Sequence, residues 1–305
     1  MALFKTYLGS IIDDKVWKGL AEGLNYGFGF MVIFMLHFTV ATKQPVMTAA
    51  RFAEAVEKNP QGKTLNMKLA QLLVDVFRSQ SVAVLGNVVV AMGLAALIAF
   101  VYQHQTGEPL MNSENIAYQL HRIDPLDGSL WFAAIAGVWL FCSGIISGYF
   151  DNRSNYLNMR MRLAQHPLLK KLMSEKSRVK FANYMHENYG SLIGNLCFGM
   201  LLGITGVVGY LTHLPLDIRH VAFSSANVGY IAVSGHFTYS LLLQCIAFVL
   251  LIGLVNLIVS FSLTLWFALL SLNAEIESWW PIWHEVCQIV KKRPLSLFLP
   301  VQLDK

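Results

Sequence analysis

Residues 189–230 read YGSLIGNLCFGMLLGITGVVGYLTHLPLDIRHVAFSSANVGY, and this stretch decides the fold class. Its first 23 residues, 189–211, are apolar or small. At a helical rise of about 1.5 Å per residue they reach about 34 Å, enough to cross a hydrocarbon core of about 30 Å. The run ends at a Pro-bearing connection, Leu214-Pro215-Leu216, and continues into a hydroxyl-rich segment, Ser224-Ser225-Ala226-Asn227. An Asn inside an apolar run is thus followed, about one span later, by a Pro. The same relation links Asn87 to Pro109 and Asn25 to Pro45.

Working outward, the rest of the chain has the same character. Of 305 residues, 55% are hydrophobic and 13% charged, with a mean hydropathy of +0.50. Soluble domains average about 25% charged residues. The apolar residues also cluster in runs long enough to span a bilayer. The sequence therefore predicts a single all-α domain over residues 1–305, a polytopic transmembrane helical bundle carrying short Pro-initiated interfacial helices. Five spans are expected at about residues 19–41, 81–102, 128–150, 189–211 and 237–272. A sixth would arise if residues 3–12 insert as a short or re-entrant segment. The fifth run is too long for one straight crossing and too short for two; it reads as one long helix projecting beyond the bilayer, with Gly253 and Asn256 at a potential bend.

The connections fix an expected orientation. Lys and Arg number six in residues 42–80 and eight in residues 151–188, against one each in 103–127 and 212–236. Cytoplasmic loops are enriched in these residues, so the basic connections and the C-terminus are expected inside, in a bacterial inner (cytoplasmic) membrane. Residues 1–18 then fall outside although they carry Lys5, Lys15 and Lys18. The N-terminus shows no signal-peptide layout.

The basic connection 151–188 has apolar residues at roughly helical spacing, and Pro167 divides it into two predicted helical pieces. Arg160, Arg162, Lys170 and Lys171 give it a basic surface suited to anionic headgroups or a cytosolic partner. A solvated loop obeying the topology rule is the plainer reading. The expected partners are membrane lipids and a protein meeting this loop or the C-terminal segment; nucleic acid is not expected.

Asn within a span is costly unless it finds a partner. Asn25, Asn87, Asn195 and Asn256 fall on four of the five runs, beside glycines. Small residues four apart, Gly23/Gly27, Gly144/Gly148 and Gly199/Gly203, let helices approach closely. Together these features predict a tight bundle with an amide-lined interior. The amides either lock helices to one another or line a polar site near the midplane. The segments KQPVMTAARFA (43–53), GEPLMNSENIA (107–117) and LPLDIRHVAFSSAN (214–227) each run from Pro through an aliphatic pair into hydroxyl or amide residues and Ala. That pattern suits a helix start and suggests an internal repeat of span, Pro turn and short helix. The polar cluster at a membrane face comprises Asp217, Arg219, His220, Ser224, Ser225 and Asn227, where Asp217 could pair with Arg219 or His220. Glu22 reads as an interfacial carboxylate.

Catalytic boxes are missing from the sequence: no phosphate loop, no nucleophile elbow and no His-Glu-x-x-His pattern. Cys142, Cys197, Cys245 and Cys287 stand alone and the histidines lack metal-ligand spacing. No cofactor, metal or disulfide framework is expected.

Three stretches, HFTVATKQPVMTAARFA (37–53), GYFDNRSNYLNMRMRLAQHPLLKKL (148–172) and GNLCFGMLLGITGVVGYLTHLPLDIRHVAFSSAN (194–227), resemble the bacterial Gcr family, which carries the label "site-specific recombinase". The likeness covers most of residues 20–270, and the chain looks like the membrane half of longer members. The label implies a Ser or Tyr nucleophile with an Arg-rich phosphate-binding set. Tyr156 and Tyr184 lie in the basic connection without a recognisable Arg/His arrangement. The leading expectation is accordingly a non-enzymatic membrane protein that binds or moves a small solute or lipid. The alternatives are a membrane-anchored DNA recombination factor acting through the basic loop, and a scaffold that docks a partner on the long fifth helix and residues 275–305, where Trp279, Trp280 and Trp283 are expected at the interface.

Overall fold

Asp14 opens the first helix: its carboxylate accepts the backbone N–H groups of Val16 and Trp17, both at 2.9 Å, and satisfies donors that helix N-termini leave orphaned. The computed structural model describes residues 1, 4, 11–37, 44–58, 63–235 and 238–297. Among them there is no strand. The helices are α1 (Lys15–Met35), α2 (Gln44–Lys58), α3 (Lys63–Thr106), α4 (Ser113–Ile123), α5 (Ser129–Tyr156), α6 (Met159–Gln165), α7 (Pro167–Leu172), α8 (Glu175–Thr212), α9 (Val221–Ala232), α10 (Tyr239–Ser271) and α11 (Trp279–Lys292), with short 3₁₀ turns at Pro125–Asp127 and Pro294–Leu297.

Four of these, α3, α5, α8 and α10, are long and apolar enough to cross a membrane. They carry four of the five predicted spans. The first predicted span corresponds to α1, which is helical but falls outside that set. Lys18, Glu22, Asn25 and the glycines at 19, 23, 27 and 29 dilute its apolar content. The fifth run is indeed one helix, 33 residues long. The proposed extra segment at 3–12, the residues from His37's neighbour Phe38 to Lys43, and the end of the C-terminal tail (298–305) lie largely or wholly outside the described residues, as does Phe237 at the expected start of the fifth run.

The basic connection is shorter than the sequence suggested. Helix α5 continues to Tyr156 and α8 already begins at Glu175, leaving α6 and α7 between them. Pro167 does divide the two short pieces, sitting in the first turn of α7 where its missing N–H costs nothing. Each of the three Pro-marked segments also runs into a short helix, α2, α4 and α9. Helix α4 is capped by Asn112, whose side chain accepts the Asn115 N–H at 2.8 Å.

The chain packs as two units, Met1–Lys43 with Trp139–Asp217, and Gln44–Val138 with Ile218–Lys305. The division falls inside α5, which contributes residues to both.

In the first unit, α8 runs antiparallel to both α1 and the later part of α5. Toward α1 it presents Gly199 and Gly203. A Cβ on Gly199 would overlap the Gly27 backbone, and one on Gly203 the Gly23 backbone. The predicted small-residue pairs at 23/27 and 199/203 are thus one contact, backbone against backbone. Gly148, by contrast, has nothing within 4 Å of its Cβ position. Toward α5, Gly190 and Gly194 receive Ser147, and Asp151 Oδ1 accepts the Gly190 N–H at 3.0 Å. Trp139 Nε1 donates to Thr205 Oγ1 at 2.7 Å.

In the second unit there are two apolar cores. One joins Val88 of α3, Ile123 of α4, Ala133 of α5, Val228 of α9 and Val249 and Ile252 of α10. The other joins Phe52 of α2, Leu65 and Leu69 of α3, Leu265 of α10 and Ile282 of α11. Helix α9 lies along the apolar part of α3: Gly229 abuts the Met92 backbone, while Gly253 of α10 faces Val84 and Val221. Most of this twelve-residue helix is buried, Ser224 and Ser225 included.

Candidate functional site

The second unit holds a polar seam inside apolar helices, built around the break between the end of the extended leg, Ile218 to His220, and α9. Pro215 cannot join a helical hydrogen-bond ladder from within, and the chain stays extended until Val221. His220 occupies the N-cap position but gives no side-chain cap. The cap comes instead from α10. Asn256 Oδ1 accepts the Val221 N–H at 3.2 Å, and Asn256 Nδ2 donates to the carbonyls of Ala133 at 2.7 Å and Arg219 at 3.0 Å. One amide therefore ties α10 to the leg, to α9 and to α5.

Arg219 lies immediately before this junction and is only 8% exposed. Its Nε donates to the carbonyl of Arg122 at 2.6 Å, and its Nη1 to the carbonyl of Ile218 at 2.9 Å. The guanidinium sits 5.0 Å from the Phe132 ring centroid, while the Arg219 N–H reaches the Phe132 carbonyl at 3.2 Å. Carbonyl dipoles and a ring face thus offset the desolvation of a buried cation. His220 is buried beside it, its ring 5.9 Å from that of Phe223.

From Asn256 the seam continues along one face of α10 through Ser260 and Thr264, all three buried and spaced four residues apart. Thr264 Oγ1 donates to the Ser260 carbonyl at 2.7 Å. The Ser260 hydroxyl, the Gln80 amide nitrogen on α3 and the Ser129 hydroxyl on α5 are buried and find no hydrogen-bond partner among the described residues. Gln80 is 1% exposed. Buried polar atoms are nearly always satisfied, so these three side chains carry polar atoms that no described residue uses.

The sequence-predicted residues distribute as follows. Asn25 and Asn195 belong to the first unit, Asn87 and Asn256 to the second. Asn25 is half-buried and its Nδ2 donates to the Met1 carbonyl at 2.9 Å. Asn195 is fully buried, with its Nδ2 on the Ser191 carbonyl one turn earlier at 2.9 Å. Asn87 is half-buried on α3. In the membrane-face cluster, Ser225 Oγ bonds back to the Val221 carbonyl at 2.6 Å, and Asn227 Nδ2 donates to Gln119 Oε1 of α4 at 2.8 Å. Arg219, His220 and Ser224 of the same cluster are buried; Asp217 is half-buried. Glu22 accepts a hydrogen bond from Tyr26 at 3.3 Å.

Gln80, Ser260 and Thr264 were not singled out from the sequence. The spacing of Asn256, Ser260 and Thr264 within an otherwise apolar helix was a signal that could have found two of them. A Ser–His contact was also missed: Ser154 Oγ lies 3.1 Å from His186 Nδ1 in the first unit. Ser154 is fully buried and also reaches the Met159 sulfur and the His186 carbonyl, so the contact closes the seam between α5 and α8. Arg160, Arg162, Lys170 and Lys171 are all exposed on α6 and α7, and Lys170 Nζ donates to Gln165 Oε1 at 2.9 Å.

The chain belongs to the site-specific recombinase family, whose model matches residues 1–300. No curated protein and no solved structure matches it.

Proposed function

From that membership and the four long apolar helices, we propose that this site-specific recombinase family protein is an integral protein of the bacterial inner membrane. In this reading it is non-enzymatic and binds or moves a small solute or lipid, with its C-terminus in the cytoplasm. The observation that carries it is the polar seam of the second unit. A buried Arg219, and the Gln80 amide nitrogen and Ser260 hydroxyl that find no partner among the described residues, are expensive inside an apolar bundle, and intramembrane polar groups of this kind mark binding sites and pathways. A short helix preceded by an extended leg is also how transporters place backbone polar groups at membrane depth. Asn256 organises the seam. Asn25, Asn87 and Asn195 remain candidate lining residues of the bundle.

The test is aqueous access to the seam. Ser260→Cys, in protein whose native cysteines are replaced, should react with a membrane-impermeant thiosulfonate when reconstituted in vesicles, and Leu254→Cys on the exposed face should not. A Ser260→Cys that stays inert while reacting fully after denaturation would make the seam a dry lock and sink the proposal.

The exposure of Arg160, Arg162, Lys170 and Lys171 favours a second reading, a membrane-anchored recombination factor that meets DNA through α6 and α7. It predicts salt-sensitive DNA binding lost when these four are neutralised. Binding that is absent at low salt would remove it.

A further inference from the structure

Helix α11 has a wider apolar arc than its own packing uses. Ile282 is buried, and Val286 and Ile289 pack with it against the core that holds Leu65, Leu69 and Leu265. From that face the apolar arc runs on round the helix through Trp279, Trp283 and Cys287 to Trp280, which lies nearly opposite Ile282. Trp280 is 79% exposed and Trp283 53%; Cys287 is exposed too. Trp279 is the more covered, stacking on Phe52 with ring centroids 6.0 Å apart. Lys291 and Lys292, both exposed, follow in the last turn.

The level of this helix can be read along α10. That helix exposes Tyr239 (90%) near one end and Trp266 (62%) near the other. The two are 27 residues apart in number, which at about 1.5 Å per residue is about 40 Å, the thickness of a bilayer including its headgroups. Aromatic residues gather at both such boundaries. Ile282 of α11 packs in the same core as Leu265, the neighbour of Trp266. The exposed tryptophans of α11 therefore stand near the level of Trp266, at the second boundary.

We propose that α11 is an interfacial helix whose Trp280–Trp283–Cys287 face enters the headgroup region of one leaflet, with Lys291 and Lys292 set against anionic phospholipid. Tryptophan suits this boundary because its ring is apolar and its N–H is wet, and lysine stems reach outward while burying their methylenes. The inference rests on the membrane reading above.

The experiment is nitroxide accessibility in the full chain, with one cysteine labelled at a time and the others replaced. The protein is reconstituted in phosphatidylcholine vesicles with or without phosphatidylglycerol. The label at Cys287 should collide with oxygen several-fold more than with a water-soluble nickel chelate, and Gln288→Cys should show the reverse. Lys291→Gln with Lys292→Gln should make the 287 label shallower only where phosphatidylglycerol is present. Leu254→Cys on α10 separates the two readings. If 254 favours oxygen and 287 favours nickel, the interfacial helix is wrong and the membrane reading stands; if both favour nickel, the membrane reading falls with it. Spin–spin broadening at 287 would assign the face to a second copy of the chain and likewise overturn the inference.

Discussion

Asn256 caps a helix to which it does not belong. Its side-chain oxygen, on α10, accepts the Val221 N–H that begins α9, at 3.2 Å, while its amide nitrogen holds the carbonyls of Ala133 and Arg219. The two residues are 35 positions apart in the chain. The bond is what allows a short helix to start deep in an apolar unit without a local cap.

Removing that amide should be costly. Asn256→Ala leaves the Val221 N–H and the Arg219 carbonyl without this partner, while the Ala133 carbonyl keeps its place in the α5 ladder, and each unsatisfied group costs about 1–3 kcal/mol. A loss of about 2–4 kcal/mol is expected by denaturant unfolding in detergent. A loss under about 1 kcal/mol would show that the junction is held by packing alone.

Two glycines of α8 should behave oppositely. Gly199 has the Gly27 backbone where a Cβ would go, whereas Gly206 has nothing within 4 Å. Gly199→Ala should destabilise by about 1–3 kcal/mol through separation of α1 from α8. Gly206→Ala should leave stability unchanged or raise it by up to about 1 kcal/mol, because alanine is the better helix former. Equal effects at the two sites would contradict the close α1–α8 approach. Thermal unfolding of the two variants side by side is sufficient.

The hydrogen bond from Trp139 to Thr205 offers a pairwise test within the first unit. Trp139→Phe and Thr205→Val each remove it. A double-mutant cycle should return a coupling of about 1 kcal/mol. Thr205 also donates to the Leu201 carbonyl at 2.7 Å, so its single variant should lose more than the shared bond alone.

Stability and activity should separate along the polar seam. Ser260→Ala and Gln80→Leu remove a buried hydroxyl and a buried amide whose nitrogen, like that hydroxyl, finds no partner among the described residues, without adding bulk. Each is expected to be neutral or stabilising by up to about 1–2 kcal/mol, since such substitutions relieve desolvation. If the seam binds or conducts a solute, the same variants should abolish labelling at a neighbouring Thr264→Cys. Destabilisation by either substitution would mean that the polar atoms have partners in the folded membrane protein.

Much of this was legible in order. Long apolar runs state their own conformation, because a bilayer demands that backbone groups be satisfied within the segment. Hence the runs at 81–102, 128–150 and 189–211 read as helices, as did the last run over its described helix Tyr239–Ser271, whose length gave its continuity. The glycines at 23, 27, 199 and 203 announced close packing, for a four-residue spacing places small residues on one helix face. The Pro segments marked the starts of α2, α4 and α9, since Pro and a following Asn or Ser bias the chain locally. The helical continuation of α3, α5 and α8 beyond their apolar runs was less visible: Lys63–Arg78 and Glu175–Asn188 are polar, and hydropathy alone does not distinguish a polar helix from a loop.

The sequence by itself determined helix class, the apolar runs and the residues small enough for close contact, because these depend on local chemistry and its period. It could not determine what each asparagine does. Asn25, Asn195 and Asn256 are equally polar and equally flanked by glycine, yet one reaches Met1, one its own helix and one three backbone partners from other segments. Nor could it reveal that Arg219 is buried against Arg122 and Phe132, which are 97 and 87 positions away by residue number. Those outcomes depend on which segments meet. A polar group's partner is set by the neighbour that packing delivers, and only the tertiary structure supplies that neighbour.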